Sequence, residues 1–224
     1  NSILEAAVDR GTVLDNNYVL VHSLLSDESG KLWILNSQAT HRSIIEMKDN
    51  QLIAHDQKTL NANGYSLSAM TGLMKDRQGR LWFVNDNHET PAIVCYQPET
   101  DEVKMFSKPF TNQDGAEINL YYIRCIKEDL DHNLWIGTDQ GILAYSIKGR
   151  KLTSVPPSIR KHPELSAAKI NSIKLIDKNN YLITSTHYAY KYCISTGEIA
   201  VIPVKSEKND QNNDITCALK DKQG

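Results

Sequence analysis

The sequence predicts an all-β protein of the β-propeller class, with four-stranded antiparallel blades, present as a partial propeller of about 4–5 blades. Three observations predict this fold. A Leu-Trp motif recurs at intervals of about 50 residues, the period of a propeller blade. Each copy is flanked by short segments in which apolar and polar residues alternate, and no segment carries the apolar stripe of a helix. Units of this kind cannot bury their own hydrophobic faces, so they stack around a common axis.

The repeat is marked by the tryptophans, which all lie at the same position of a unit. Trp33 and Trp82 are 49 residues apart, and Trp135 follows 53 residues later. Leu182 takes the tryptophan position 47 residues after Trp135. Each motif follows an apolar stretch and an acidic turn, which begins at Asp27, Asp76, Asp129 or Asp177. Gly and Asn in these turns accept positive φ angles and Asp bonds to nearby backbone, so each turn suits a tight hairpin.

The third unit shows the four strands of a blade most clearly. We expect strands near residues 121–128, 133–138, 142–147 and 150–155. On the second strand, alternate residues from Leu134 onward point to one face, whereas Trp135 and Gly137 point to the other. Both faces should therefore meet a neighbouring blade, with Gly137 leaving space beside a large ring. The only helical feature that we expect is one short turn within residues 163–169.

We expect residues 1–224 to form one arc of a propeller. The arc comprises strands of a preceding blade at 1–14, blades at about 18–60, 66–110, 119–160 and 168–205, and the first strand of a further blade at 214–224. A closed propeller has about 4–8 blades. The sequence therefore predicts part of a larger propeller.

Composition argues against two classes of partner. The chain has 224 residues, with 25 basic and 27 acidic residues and a net charge of −2 at pH 7. Basic residues do not cluster, so a nucleic-acid partner is not expected. No apolar run approaches the ~20 residues of a membrane helix, so we expect no membrane contact by this chain.

The four cysteines predict neither a metal motif nor a disulfide. Cys95, Cys125, Cys193 and Cys217 form no C-x-x-C pair. Cys125 and Cys217 occupy the same position two blades apart, which is well beyond the ~7 Å limit for bridged Cα atoms. We therefore expect four free thiols.

One turn begins like a calcium-binding loop. Asp129, Asp131 and Asn133 have the D-x-D-x-N spacing, but Leu134 and Gln140 stand where such a loop requires Gly and Glu. The histidines form no H-E-x-x-H or H-x-H motif. We interpret the turn as a plain hairpin and expect neither a metal site nor a cofactor.

Residues 123–145 resemble the regulator-propeller repeat, whose pattern is I-x-x-I-x-E-D-x-x-G-x-L-W-I-G-T-x-x-G-[LI]-x-x-Y. The other units keep the Leu-Trp core and the acidic turn, but Leu35 and Val84 stand where Gly137 stands, and the fourth unit has no Trp. The resemblance covers roughly residues 18–224. It implies the periplasmic sensor of a hybrid two-component system, an inner-membrane protein that signals to a histidine kinase as a homodimer. Its expected ligand is an oligosaccharide.

Loops at one end of the blades carry the side chains that suit such a ligand. The loops between second and third strands, and those between blades, emerge together at one end of a propeller channel. Amides, carboxylates, hydroxyls and imidazoles can bond to sugar hydroxyls, and aromatic rings can stack on a sugar face. The predicted ligand-binding residues are Asn85, Asp86, His88, Glu89, Tyr121, Asp139, Gln140, Thr186, His187 and Tyr188.

Two other functions stay open at the level of sequence. A purely structural propeller would use its broad faces to hold other proteins. A propeller lyase or hydrolase acting on glycans would use His88 or His187 as a base. No G-x-S-x-G motif or Ser, His and Asp order stands out, so we predict no catalytic residue.

Overall fold

The structure, a computed structural model, describes residues 21–27, 30–36, 44–49, 51–55, 70–85, 92–107, 110–111, 117–118, 122–202 and 215. The chain divides into two compact units, Asn1–Lys108 and Pro109–Gly224. Each unit contains two four-stranded antiparallel sheets, in which consecutive strands are hydrogen-bonded neighbours. These sheets are the blades of a β-propeller, so the predicted fold class is confirmed.

The first unit contains blades A and B. Blade A consists of β1 (Val21–Ser26), β2 (Leu32–Asn36), β3 (Ile44–Lys48) and β4 (Gln51–Ala54). Blade B consists of β5 (Met70–Lys75), β6 (Leu81–Asn85), β7 (Ala92–Gln97) and β8 (Glu102–Ser107). The two blades share a core in which Trp33 and Leu35 of β2 pack against Leu81 and Phe83 of β6. Period-two alternation puts these residues on the facing sides of the two second strands.

The second unit begins with a short hairpin and contains blades C and D. The hairpin consists of β9 (Phe110–Thr111) and β10 (Glu117–Ile118). Blade C consists of β11 (Ile123–Glu128), β12 (Leu134–Thr138), β13 (Gly141–Ser146) and β14 (Lys151–Thr153). Blade D consists of β15 (Ile170–Asp177), β16 (Asn180–Ser185), β17 (Ala189–Cys193) and β18 (Ile199–Ile202). The strands predicted near 133–138 and 142–147 differ from β12 and β13 by one residue at most at each end.

Trp135 anchors the core between blades C and D. Its ring stacks on Tyr181 at a centroid distance of 5.0 Å and lies 5.7 Å from the ring of Tyr192. All five residues of β12 are buried, as expected for a strand with both faces covered. Trp135 thus packs against large buried side chains of blade D. The tryptophan position of the repeat therefore contributes to the core between blades.

Gly137 has a different role from the one predicted. A Cβ at this position would lie 2.5 Å from Sγ of Cys125 and 2.9 Å from Cγ2 of Ile170. The residue therefore allows β12 to approach the first strand of blade D closely, and the space is not beside a large ring. Glycine is needed here because a side chain would collide with two strands at once.

The link between blades C and D contains a helix that the sequence analysis missed. Helix α1 (Pro157–Lys161) buries Ile159, and turns follow at residues 163–167, within the predicted turn segment. A helix of five residues with one buried side chain produces no detectable periodicity. Pro157 begins it, because proline is favoured in the first helical turn.

The hairpin turns of blades A and B follow the predicted chemistry, whereas in blades C and D the described residues of the turn between the first and second strands include no Gly or Asn with a positive φ angle. Gly30 and Gly79 have φ angles of 80° and 81°, as expected for glycine in these turns. His132 takes the same place in blade C with a φ of 61°, which is uncommon for a residue with a Cβ. Its Nδ1 lies 2.7 Å from Oε1 of the buried Glu128, and this contact holds the imidazole beside the turn.

Cys95, Cys125 and Cys193 are free thiols, and Cys217 lies outside the described residues. Burial raises the pKa of Cys95 to about 11 and that of Cys125 to about 12. Hydrogen bonds from Ser195 and Thr196 lower the pKa of Cys193 to about 7. The segments predicted as strands of a preceding and a further blade, 1–14 and 214–224, also lie outside the described residues except for Ile215.

Candidate functional site

The described part of the predicted site lies where the second strands of blades C and D end. Asp139 and Gln140 form the turn between β12 and β13, and Thr186 to Tyr188 form the turn between β16 and β17. Both turns lie at the end of the blade where the chain also leaves for the next blade, because each blade consists of four antiparallel strands. The two turns therefore occupy the same end of adjacent blades.

Asp139 is held by an arginine that the sequence analysis did not select. Nε of Arg124 donates to Oδ1 of Asp139 at 2.8 Å, and Nη2 donates to Oδ2 at 3.3 Å. The arginine and aspartate side chains are 37% and 30% exposed. The guanidinium also lies 5.6 Å from the ring centroid of Tyr122. A paired guanidinium and carboxylate at the surface offer a polar ligand both donors and acceptors.

A β-bulge places Arg124 in this position. The pairing of β11 with β12 shifts between Ile123 and Cys125, so Arg124 is the extra residue. Bulges aim the extra side chain away from the regular alternation of the strand and are frequent beside functional sites. The first strands of the other three blades carry register shifts near the same end.

The turn that carries Gln140 is fixed by its own hydrogen bonds. The backbone N–H of Gln140 donates to Oγ1 of Thr138 at 3.0 Å, and that hydroxyl donates to the carbonyl of Gly141 at 2.9 Å. Gly141 has a φ of 96° and its N–H donates to the carbonyl of Ala168 at 2.8 Å. The link between blades C and D therefore lies directly against this turn. The Gln140 side chain itself is exposed.

The turn of blade D presents an exposed aromatic ring. The N–H of Ser185 donates to the carbonyl of Tyr188 at 2.8 Å, which closes the turn. Tyr188 is 44% exposed, and its ring lies 6.5 Å from His187 and 6.1 Å from Tyr190. Tyr190 in turn meets His162 of the blade C to blade D link edge-on at 5.1 Å. The result is a cluster of two tyrosines and two histidines in which His187 and Tyr188 are open to solvent.

Electrostatics around this aromatic cluster favour the neutral phenol of Tyr190. Burial raises its pKa, and the charge of Glu164 adds to the rise. Tyr190 is thus a buried supporting residue of the cluster, whereas Tyr188 is a tyrosine ring that is exposed at its surface. An exposed tyrosine can stack on the apolar face of a sugar while its hydroxyl bonds to water or ligand.

Thr186 has a backbone role next to the following segment of the chain. Its carbonyl accepts a hydrogen bond from the N–H of Ile215 at 3.2 Å. Nδ2 of Asn171 donates to the carbonyl of Ile215 at 2.8 Å. Asn171 is the bulge residue of β15, equivalent to Arg124 in blade C. Arg124 therefore presents its side chain at the surface, whereas Asn171 binds the backbone of Ile215.

The remaining predicted ligand-binding residues lie partly or wholly outside the described part of the chain. Asp86, His88, Glu89 and Tyr121 lie outside the described residues, and Asn85 is described only as the last backbone position of β6. Within the described ranges, the predicted residues fall into two groups, Asp139 with Gln140 and Thr186 with His187 and Tyr188. No contact described in the structure joins the two groups.

The turn with calcium-like spacing is a hairpin. Oδ1 of Asp129 accepts the N–H groups of Asp131 at 2.9 Å and Asn133 at 2.8 Å, as a turn-forming aspartate does. Among the described residues, no three His, Cys, Asp or Glu side chains are grouped so that they could hold a metal ion. No helix in the described ranges is long and apolar enough to cross a membrane.

Neither a protein-family model nor a curated protein matches this sequence. Solved structures do match. A protein described as the extracellular domain of a hybrid two-component system from B. thetaiotaomicron aligns with 94% of this chain and 27% of its own, at 17% identity and a TM-score of 0.61. The resemblance predicted from residues 123–145 is thus confirmed at the level of fold.

Two further solved structures show how widely this fold is used. PorZ, a surface component of the type-IX secretion system of Porphyromonas gingivalis, aligns with 88% of this chain and 29% of its own, at 17% identity and a TM-score of 0.62. Virginiamycin B lyase from Staphylococcus aureus aligns with 86% of this chain and 58% of its own, at 17% identity and a TM-score of 0.58. The chain spans less than two thirds of the length of each of these structures.

Proposed function

We propose that this chain is a non-catalytic, ligand-sensing part of a hybrid two-component system, located in the periplasm and responding to an oligosaccharide. The observation that carries the proposal is the fold likeness to the extracellular domain of a hybrid two-component system, together with the regulator-propeller motif at residues 123–145. Fold alone does not fix function. The chemistry of the blade C and blade D turns supplies the second argument.

The two turn groups suit a polyhydroxylated ligand. Tyr188 offers an exposed ring, and the Arg124 and Asp139 pair offers partly exposed donors and acceptors. Sugar recognition commonly combines a stacking surface with charged or amide hydrogen-bonding groups. Binding at these turns would engage two adjacent blades and so favour one arrangement of them. In a homodimeric sensor this change in packing would be passed to the histidine kinase.

Calorimetric titration with a panel of oligosaccharides tests the sensing function. We expect one structural class of oligosaccharide to bind, and Tyr188→Ala to weaken that binding about tenfold or more through loss of the stacking surface. Tyr188→Phe keeps the ring and should keep most of the affinity. Leu24→Ala changes an exposed apolar residue of the first unit and serves as the matched control.

The titration also has a result that rules the proposal out. If no oligosaccharide binds the intact sensor, or if Tyr188→Ala and Leu24→Ala bind equally well in spite of being folded, ligand sensing at these turns is wrong. Light scattering with and without the bound oligosaccharide then tests the dimer. A mass that stays at one protomer under both conditions would contradict the signalling model.

A structural scaffold is the second candidate function, favoured by the likeness to PorZ, a component of a secretion system. A scaffold would bind proteins on its broad faces and would be indifferent to oligosaccharides. The panel titration separates the two functions directly.

An enzyme is the third candidate, favoured by the likeness to virginiamycin B lyase. A lyase or hydrolase acting on glycans would change the mass of oligosaccharides incubated with the chain. We expect unchanged masses. Cleavage that disappears in a folded His187→Ala variant would overturn the non-catalytic proposal.

A further inference from the structure

In blades A and B, the indole N–H of the tryptophan donates to a carboxylate that is also paired with a cation. In blade B, Nε1 of Trp82 donates to Oδ2 of Asp76 at 2.7 Å, and Nε of Arg80 donates to the same oxygen at 2.6 Å. The guanidinium lies 5.3 Å from the Trp82 ring centroid. Carboxylate, cation and indole therefore form one group in which the Asp76 carboxylate is paired with both the guanidinium and the indole N–H.

Blade A reaches the same arrangement with lysine. Nε1 of Trp33 donates to Oδ2 of Asp27 at 3.2 Å, and Nζ of Lys75 donates to that oxygen at 2.5 Å. The Lys75 ammonium lies 5.8 Å from the Trp33 ring centroid. A second lysine, Lys31, lies 5.9 Å from the same ring. In blade B, the cation thus comes from the turn of the same blade. In blade A, it comes mainly from the neighbouring blade B.

Blade C has the carboxylate and the indole but not the cation. Asn133 stands where Lys31 and Arg80 stand in the other blades. Asp129 accepts two backbone N–H groups, yet no Lys or Arg of the described chain forms an ion pair with Asp129 or Asp131. Trp135 is only 4% exposed, and no described residue accepts a hydrogen bond from its indole N–H. An indole N–H that meets no protein acceptor here can bond to water or to a ligand in the adjoining space.

A cavity lies at this incomplete group. It has a volume of about 350 Å³ and is lined by residues of blades C and D that include Asp129, Asp131, Trp135, Tyr181 and Tyr192. None of its lining residues is basic. The volume falls at the lower end of the range for small-molecule sites, about 300–1,000 Å³. The cavity is therefore large enough for a small ligand and carries negative charge only.

The surroundings of Asp129 show that its charge lacks compensation. Burial raises the pKa of its carboxyl, and the nearby charge of Asp131 raises it further, against the hydrogen bonds from Asn133 and Asp131. A cation close to this carboxylate would reverse the effect. Aromatic rings beside two carboxylates form the usual surroundings of a bound ammonium or guanidinium group.

We propose that the cavity between blades C and D binds the ammonium or guanidinium group of a small organic cation, which pairs with Asp129 as Arg80 pairs with Asp76 in blade B. This site lies at the end of the blades opposite to the turns of Asp139 and Tyr188, since it is formed by the turn between first and second strands. It does not depend on the proposed oligosaccharide function, and it can be tested without an oligosaccharide.

The indole N–H signals of the tryptophans provide a direct readout. The chain contains three tryptophans, so a ¹⁵N-labelled sample gives three indole cross-peaks, and Trp33 and Trp82 act as internal controls. We expect propylguanidinium and propylammonium to shift the Trp135 cross-peak saturably and to leave the other two unchanged. Propylurea, which has a similar shape to propylguanidinium but no charge, should cause no comparable shift.

Three variants sharpen the test. Asp129→Asn should weaken binding of propylguanidinium about tenfold or more, because it removes the charged partner. Asn133→Arg places a guanidinium within the chain, as in blade B, and should abolish binding. Asp177→Asn changes the equivalent aspartate of blade D, which does not line the cavity, and should bind as the wild type does.

A dispersed Trp135 cross-peak, together with unchanged Trp33 and Trp82 cross-peaks, establishes that both units of each variant are folded. The proposal is overturned if the Trp135 cross-peak does not shift saturably, if propylurea shifts it as much as propylguanidinium does, or if the folded Asn133→Arg variant binds with wild-type affinity.

Discussion

Blades B and C carry the same motif on the same strand, but they complete it with different groups. In blade B, Asp76 is 5% exposed and accepts hydrogen bonds from the indole of Trp82 and the guanidinium of Arg80. In blade C, Asp129 only closes its own turn, and Trp135 packs on the aromatic rings of blade D. The difference shows that a repeat can keep its packing residues while one substitution, from a basic residue to Asn133, changes a closed polar group into an open one.

The largest expected difference between the two blades concerns their aspartates. Asp76→Ala should destabilise the protein by about 3–5 kcal/mol, because it leaves a guanidinium and an indole N–H without their buried partner. Asp129→Ala should cost only about 1–2 kcal/mol, since it removes hydrogen bonds within one turn. Urea unfolding of both variants measures the difference. Equal losses would mean that the ion pair of blade B adds nothing to the turn.

The second comparison concerns two glycines with positive φ, one from each blade. An Ala Cβ at Gly79 would meet nothing within 4 Å, whereas at Gly141 it would lie 2.5 Å from the backbone of Ser166. Gly79→Ala should therefore cost only the backbone strain, about 1–2 kcal/mol. Gly141→Ala should cost about 3 kcal/mol or more, because the link between blades C and D must also move.

Thermal and urea unfolding of the two glycine variants provide the measurement. Losses of the same size would indicate that the link over Gly141 yields easily, and would weaken the view that it fixes the turn of Asp139 and Gln140.

Exchanging the basic residue between the blades gives a smaller effect. Arg80→Asn should destabilise the protein by about 1–3 kcal/mol, because the buried Asp76 loses its charged donor. Asn133→Arg adds a pair at a more open position and should change the free energy of unfolding by no more than about 1 kcal/mol. The urea midpoints of both variants are the measurement, with Gln78→Asn, at an exposed position of the same turn, as the control. A large stabilisation by Asn133→Arg would show that Asp129 in blade C gains as much from a basic partner as Asp76 does in blade B.

The smallest expected effect is a difference in pH dependence between turn aspartates. Burial raises the pKa of the Asp129 carboxyl above 3.8, so the folded state holds the proton more tightly than the unfolded state does. The contribution of this group to stability is therefore present at low pH and is lost as the pH rises from 3.8 through the raised pKa. Backbone and side-chain hydrogen bonds from Asn179 and Asn180 lower the pKa of Asp177 below 3.8, so its contribution is lost as the pH falls through the lowered value.

Carboxyl ¹³C chemical shifts recorded during an acid titration measure both aspartates at once. Propylguanidinium, if it binds as proposed, should move the Asp129 titration to lower pH and leave that of Asp177 unchanged. The opposite order of the two pKa values in the free protein would contradict the burial of Asp129.

Much of the fold follows from the sequence because strand formation depends on local patterns. The alternation around Trp135 and the glycines of the turns are properties of neighbouring residues, and they place β12 and β13 to within one residue. Helix α1 escapes prediction because a single buried side chain, Ile159, carries no period. The role of Gly137 depends on the approach of Ile170 from the next blade, which no local pattern records.

The candidate site could be predicted only in part, for a similar reason. The turn residues Asp139 and Tyr188 follow from the order of strands. Arg124 reaches Asp139 because of a bulge, and bulges are set by pairing between strands and not by the sequence of one strand. The cation on Asp27 comes from Lys75, 48 residues away, so the open state of blade C becomes visible only when the blades are compared in three dimensions.

The brevity of β14 has a consequence for association between chains. It is the outer strand of blade C, pairs through only three residues, and is followed by Pro156 and Pro157. An outer strand with free backbone groups is a template on which another chain can add a strand, and short length and nearby prolines are devices that prevent this. The outer edge of blade C is therefore protected against pairing with a strand of another chain, so exposed backbone groups there do not promote aggregation.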